Sequence, residues 1–396
     1  MKNALNILFL ISICCMPFAN AQQIKQFFIN ACTFYYQDSP IQYKVDGVYC
    51  SVKGILSAQQ DTLLVNDQVI SKQDPDLEIQ EFSFQLSEPL LFGVFDGHGS
   101  TYDNGDDNGF EASHYVADQF KKLFAQYSNK DVEMLFKEID KDVLKQEFAQ
   151  DAGTTACVCK VDTDGSMCVY NLGDSRALWG VGKDQATRDH SVKNDEECKR
   201  VESLCTISRD HFCCMGKSLA VSRAFGDNYM RNVDGQKNNI VISIPEKYTP
   251  DVPTLFIGCD GCFDYTSNEV IYEIYTKCLN KKRSLIFTAY AILNYICSAS
   301  PKFKQLNLYR ENPFSGFFEK LDIKKEEVHF AEIKKYVLAD YKYFLHDNTS
   351  FILLNIINNQ GNQKSDPYFV PINKERAILL LFISVGLVWK YLHGYK

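Results

Sequence analysis

The chain predicts a mixed α+β domain, and three observations carry that reading. Apolar, β-branched runs at 90–95, 155–161, 167–172, 254–259 and 350–356 have strand length and are bounded by turn-forming residues. Between them lie longer stretches whose apolar residues recur at helical spacing. Acidic residues stand repeatedly at the strand ends, each beside a Gly, Asn or Ser that permits a tight turn.

The helical stretches can be placed residue by residue. In 111–127, EASHYVADQFKKLFAQY, one face carries Ala112, Tyr115, Val116, Phe120, Leu123 and Phe124, and Asp131 to Phe148 continues in the same style. Thr266 with Glu269 has the pattern of a capping box opening a helix after CDGCFD. These aromatic stripes read as core. DNGDDNG at 103–109 delays the first helix. Its acidic spacing does not follow the EF-hand order, and it reads as a flexible acidic loop.

The stretch LLFGVFDGHGS, 90–100, is the most informative. An apolar strand delivers Asp96 and His98 onto a turn whose glycines, Gly97 and Gly99, remove the Cβ atoms that would keep a carbonyl from turning inward. Asp96 offers a hard oxygen and His98 a proton donor near neutral pH. Alone, the pattern also fits an Asx turn capping a buried strand. Other segments favour a metal site: Asp61 in GILSAQQD, Asp174 in VYNLGDSRA, Asp260 and Asp264 in LFIGCDGCFD, and Asp347 in FLHDNTSFILL all occupy strand mouths.

Taken in order, QQD (59–61), VFDGHG (94–99), GTTA (153–156), NLGDSRA (171–177), TRDH (187–190), LAVSRAFGD (219–227), CDGCFD (259–264) and DNTS (347–350) resemble the metal-dependent protein phosphatases of the protein phosphatase 2C (PPM) type, over about residues 50–356. The resemblance implies two packed antiparallel β-sheets flanked by helices, an α/β/β/α sandwich with the metals at one end. It implies that Asp61, Asp96, the Gly97 carbonyl, Asp260 and Asp347 hold a pair of Mg²⁺ or Mn²⁺ ions, that Asp174 serves a third, looser ion, and that His98 is the general acid. The implied reaction is hydrolysis of phosphoserine or phosphothreonine in a phosphoprotein by direct attack of a metal-activated water. A pair of divalent ions suits that chemistry, because a phosphomonoester dianion repels hydroxide until its charge is neutralised. Oxygen donors without a set of Cys or paired His suit Mg²⁺ or Mn²⁺.

Two positions depart from the family pattern. Leu56 stands where an arginine usually grips the substrate phosphate, with Lys53 the nearest substitute cation, and Gln60 stands where many members have Glu. Loss of a charge-assisted fork costs roughly 1.5 to 3 kcal/mol per hydrogen bond. The alternative reading is therefore a weak or inactive pseudophosphatase that binds phosphoproteins or serves as a scaffold.

Composition bounds the rest. The 396 residues, 45% hydrophobic, can bury a large core, and about 300 of them suit one domain. A net charge of −8 without a Lys/Arg block excludes nucleic acid as partner. There is no GxSxG, GxxxxGK[ST] or HExxH, and His190 of TRDH reads as a structural hydrogen-bonder. A monomer is expected.

The ends suggest location. Residues 1–21 have the basic start, apolar centre and small-residue ending of a secretory signal, or form an uncleaved anchor. The phosphatase-like domain would span 22–357 and a polar linker 358–376, leading to an apolar candidate transmembrane helix at 377–392. That run is short for a bilayer and contains Lys390, so a helix docked on the domain or lying at the interface is the competing reading. The implied arrangement is membrane-associated, with the domain lumenal or extracellular. Of 15 cysteines, several fall within predicted strands as small buried hydrophobes, and CxxC at 259–262 reads as coincidental. Disulfides would be permitted in a lumenal domain. The sequon Asn348-Thr-Ser lies inside the metal block, where a glycan would clash, so either folding outruns modification or the domain is not lumenal.

Overall fold

The computed structural model describes residues 42–54, 58–71, 77–99, 107–127, 132–180, 182–214, 216–231, 239–299, 345 and 347–358. One five-stranded antiparallel sheet runs β4 (Glu78–Gln85), β1 (Tyr43–Val52), β16 (Thr349–Asn358), β15 (Thr254–Gly258), β9 (Arg176–Leu178). The second runs β13 (Phe225–Gly226), β6 (Gly153–Thr154), β5 (Leu90–His98), β7 (Ala156–Val161), β8 (Met167–Leu172), β14 (Glu246–Tyr248), with β2 (Asp61–Val65) on β5 and β3 (Gln68–Ile70) on β2. A small third sheet joins β10 (Thr206–Ser208), β11 (His211–Cys214) and β12 (Lys217–Leu219). The helices are α1 (Asn108–Tyr127), α2 (Val132–Val143), α3 (Asp195–Val201), α4 (Asn268–Asn280) and α5 (Leu285–Ala299).

Strand alternation explains why the sheets are layered between helices. Along β5, Leu90, Phe92 and Val94 enter a core shared with Val48, Phe256, Phe351 and Leu353 of the facing sheet, while Leu91 and Phe95 point the other way into a core with α1 and α2. β7 divides likewise: Cys157, Cys159 and Val161 go inward, Ala156 and Val158 toward the helices. On the outer side of the five-stranded sheet, Ile271 and Tyr275 of α4 and Ile292 and Leu293 of α5 belong to the same core as its strands. The result is the α+β, helix–sheet–sheet–helix sandwich expected from the sequence. Each large apolar side chain buried in it contributes about 1.5 to 3 kcal/mol, enough to fix the register of every central strand.

Several expectations are corrected in detail. The helix after CDGCFD begins at Asn268 with Ser267 as its N-cap, whereas the Thr266 hydroxyl is buried without a hydrogen bond, so Thr266 opens no capping box. The pattern from Asp131 to Phe148 is broken, since α2 ends at Val143 and a 3₁₀ turn at Phe148–Gln150 follows. The end of the acidic segment is not a loop: Asp107 is 4% exposed and its Oδ1 accepts from the Phe110 amide at 3.0 Å, capping α1. No disulfide joins the described cysteines, and Cys50, Cys157, Cys159 and Cys259 are buried thiols. Residues 1–21, most of the linker and the segment 377–392 lie outside the described residues, as does Leu56. Among the described residues no helix is long and apolar enough to cross a membrane.

The small sheet and α3 enclose their own core of Val201, Phe212, Val221 and Met230. A buried carboxylate ties it to the sandwich. Glu197 of α3 accepts from Arg223 Nη2 at 2.5 Å, Ser222 Oγ at 2.6 Å and Arg200 Nη2 at 3.0 Å. Burial alone would raise its pKa, but these donors outweigh burial and hold it at about 2 against an ordinary 4.5. A carboxylate depressed in the folded state stabilises fully above its unfolded pKa and loses that contribution as pH falls through its folded one. Glu197→Gln should therefore cost on the order of 3 kcal/mol at pH 7, with the gap to wild type narrowing between about pH 4.5 and 2, as followed by urea unfolding across pH.

Candidate metal centre

The acidic residues meet at one end of the sandwich because four different strand ends open there. Asp61 begins β2 and Asp96 lies near the end of β5, and antiparallel pairing sets them directly opposite each other. From the other sheet, Asp260 opens the turn after β15 and Asp347 lies two residues before β16, strands that pair side by side. Asp174 sits where the chain crosses from β8 of one sheet to β9 of the other. Ligand atoms of Asp61, Asp96 and Cys259 all lie within 4.8 Å of one another.

The electrostatics report the same convergence. Burial, then the charge of Asp347, raises the Asp61 pKa to about 7. Burial raises Asp96 well above the ordinary carboxylate range, helped by Asp260, Asp61, Asp347 and Asp174. Asp260 is raised in the same way by burial, Asp174 and Asp347, and Asp174 reaches about 6 through burial and the nearby Asp189. Both carboxylate oxygens of Asp61 are buried with no hydrogen-bond partner. A site of clustered, unsatisfied hard oxygens suits a divalent cation, which would replace the missing donors and reverse the repulsion. The residues present therefore fit Mg²⁺ or Mn²⁺. Asp264 is exposed, at the end of the 3₁₀ turn that Asp260 opens.

Around the carboxylates, neutral groups hold the frame. Asn348 accepts from the Gln60 amide at 2.7 Å through Oδ1 and donates to the Ala58 carbonyl at 3.2 Å through Nδ2, tying the start of β2 to the start of β16. Gly97 has to be glycine: a Cβ there would come within 2.1 Å of the Gly109 carbonyl oxygen. Thr155 Oγ1 receives the Asp96 amide at 3.2 Å, and Thr154 Oγ1 donates to the Asp96 carbonyl at 3.0 Å. Motifs far apart in the chain thus meet in pairs. GTTA backs VFDGHG, and His190 of TRDH accepts from the Gly173 amide at 3.0 Å beside Asp174.

His98 has a partner that sequence reasoning missed. Its Nε2 donates to Oδ2 of Asp227 at 2.8 Å, and Asp227, fully buried, takes the left-handed conformation at φ 55°. Burial pulls the His98 pKa down, but the charge and hydrogen bond of Asp227, with Asp174 behind, raise it on balance above 6.5. The ring is thus biased toward its protonated form. Gly153 keeps room for the pair, since a Cβ there would lie 2.3 Å from Asp227 Oδ2 and 2.7 Å from His98 Nε2. The signal was present in RAFGD, whose aspartate follows a glycine at φ 82°, but nothing in a linear string links positions 98 and 227. Arg176 is committed elsewhere. It forms a fork with Asp189 at 2.9 and 2.6 Å and stacks on the Phe263 ring at 4.3 Å.

Residues 57–301 match the family model described as Protein phosphatase 2C. Similar curated proteins include Probable protein phosphatase 2C T23F11.1 of Caenorhabditis elegans, 30% identical over 49% of this chain and 56% of the relative. Another is Probable protein phosphatase 2C 59 of Arabidopsis thaliana, 32% identical over 45% of this chain and 57% of the relative. A solved structure, described as a C. elegans sex determining protein, is similar at 20% identity and a TM-score of 0.43, over 78% of this chain and 64% of that one. The chain spans about half the length of the curated relatives it matches.

The carboxylate cluster makes a prediction for the cation-free protein. A carboxylate raised from 3.8 to about 7 destabilises the fold above pH 4, because the folded state holds on to a proton that the unfolded state releases. In EDTA, Asp61→Asn should therefore stabilise the chain, on the order of 2 to 4 kcal/mol at pH 8, with the gain vanishing below about pH 4 in thermal unfolding. A destabilised variant would contradict the repulsion described here.

Proposed function

Because the chain belongs to the protein phosphatase 2C family, we propose that it is a Mg²⁺/Mn²⁺-dependent protein serine/threonine phosphatase acting on phosphoproteins. The observation that carries the proposal is the meeting of Asp61, Asp96, Asp260 and Asp347 from both sheets, where burial comes first and the charge of Asp347 helps raise the pKa of Asp61, Asp96 and Asp260. Those four, with the Gly97 carbonyl, would hold the ion pair, and Asp174 would serve a third ion. Bound there, the ions would neutralise phosphate oxygens and make water nucleophilic at ordinary pH.

The chain's own groups supply the rest. With Nε2 hydrogen-bonded to Asp227, Nδ1 of His98 is the nitrogen left to give a proton to the departing serine or threonine oxygen. Asp227 is a positioning residue that keeps the imidazole oriented and charged. Thr155, itself bonded to Ser175 at 2.7 Å, holds the strand that carries Asp96.

A rival reading, a weak or inactive phosphoprotein-binding relative, draws on a specific observation. Leu56 leaves no guanidinium at its position, and Arg176, the arginine beside Asp174, is locked on Asp189. Lys53 would have to supply the phosphate grip. The terminal segments support a membrane-associated protein with a lumenal or exterior domain. Asn348 is 2% exposed, so in such a domain the folded chain would not offer its sequon for modification.

The full chain should hydrolyse phosphoserine and phosphothreonine peptides with Mn²⁺ and stop when EDTA is added. Leu56→Arg should lower KM roughly 10-fold or more. An unchanged KM would mean another cation already holds the phosphate, and phosphopeptide binding without turnover would favour the rival.

A further inference from the structure

Gln60 precedes the first acidic residue of the cluster, and its polar groups hold together three separate segments. Its amide N–H donates to Asn348 Oδ1 at 2.7 Å. Its carbonyl accepts from the Gly97 amide at 3.2 Å and from Ser113 Oγ of α1 at 2.6 Å. Its side-chain Nε2 donates to Asp107 Oδ1 at 2.8 Å, the same oxygen that caps α1 through the Phe110 amide. The Nε2 group also fills the space above Gly109, where a Cβ would lie 2.7 Å from it, and the Gly109 carbonyl presses on Gly97.

Asp107 is 4% exposed, so its charge depends on the donors around it. An amide at position 60 supplies one of them. A carboxylate there would face the buried Asp107 across a hydrogen-bond distance with no proton between them, a like-charge contact. We propose that Gln60 and Asp107 form a matched clasp that positions the Gly97 edge of the metal centre, so that the amide at 60 is required by the carboxylate at 107. The proposal rests on the reading of the carboxylate cluster as a metal site. Under it, the glutamine is not a weakened form of the glutamate common in the family but half of a pair, whose other half lies in the acidic segment inserted before α1.

The clasp predicts the reverse of what restoring the family residue would suggest. If position 60 acted alone, Gln60→Glu would add a charge beside the ions and tighten Mn²⁺ binding. Under the clasp, Gln60→Glu lowers the unfolding midpoint of the full chain in EDTA by about 3 to 6 °C and weakens Mn²⁺ binding about 10-fold. Adding Asp107→Asn removes the like charge opposite the carboxylate introduced at position 60, and its side-chain oxygen can still cap α1. The double variant should regain most of both losses.

The test is this double-mutant cycle on the full chain, read by thermal unfolding in EDTA, Mn²⁺ calorimetry and turnover of a phosphothreonine peptide. Recovery in the double variant supports the clasp, including the case in which Gln60→Glu alone fails to fold. Unchanged or tighter Mn²⁺ binding by Gln60→Glu, or a double variant no better than that single change, overturns it. The phosphatase reading fails separately: wild type would then bind Mn²⁺ and show the unfolding cycle but hydrolyse nothing.

Discussion

The repulsion among buried carboxylates is the constraint on which the rest of this structure depends. Asp61 and Asp96 are fixed opposite each other by the β2–β5 ladder, and their oxygens lie within 4.8 Å. Two like charges at that separation cost about 3.5 kcal/mol at an effective dielectric of about 20. That equals one or two well-buried core side chains, against a net stability of about 5 to 15 kcal/mol for a whole domain. A fold keeps such a cluster only where something bound to it, proton or cation, relieves it.

The scaffold holds the acids in place without neutralising them. Asn348, Gln60, Thr154, Thr155 and Ser113 spend their hydrogen bonds on backbone, on each other or on neighbours such as Asp107 and Ser175, leaving the oxygens of Asp61 unpartnered. The strong cations near the site are likewise engaged: Arg176 with Asp189, and Arg223 with Glu197. Had either arginine turned toward the cluster, it would have lowered the carboxylate pKa values and competed with a divalent ion. The same separation applies to His98, whose charge is stabilised chiefly by Asp227, with a smaller contribution from Asp174. Positioning and binding are thus carried by different side chains.

The sandwich was legible in the sequence wherever the physics is local or periodic. Strand length and alternation located β5, β7, β8, β15 and β16 to within a few residues, and the stripe from Ala112 to Phe120 located α1. The acidic strand mouths were legible because turn chemistry marks them. What escaped were pairings between distant positions, His98 with Asp227 and Gln60 with Asp107, since a side chain's partner is set by tertiary placement. Asp107 was misread for a related reason: in a run of Asp, Asn and Gly a solvated loop and an N-cap look alike, and only burial separates them. Thr266 failed as a cap because Ser267, one position on, starts the helix with the extended backbone a cap requires.

If these acids cage a pair of cations, the cation-free chain must take them up. Calorimetric titration of the full, cation-free chain with Mn²⁺ tests it most directly. At least two ions should bind per chain, with proton uptake by the buffer as the raised carboxylates ionise, and binding should be lost in Asp96→Asn. A chain that binds no Mn²⁺, or binds it equally well without the Asp96 carboxylate, would contradict it.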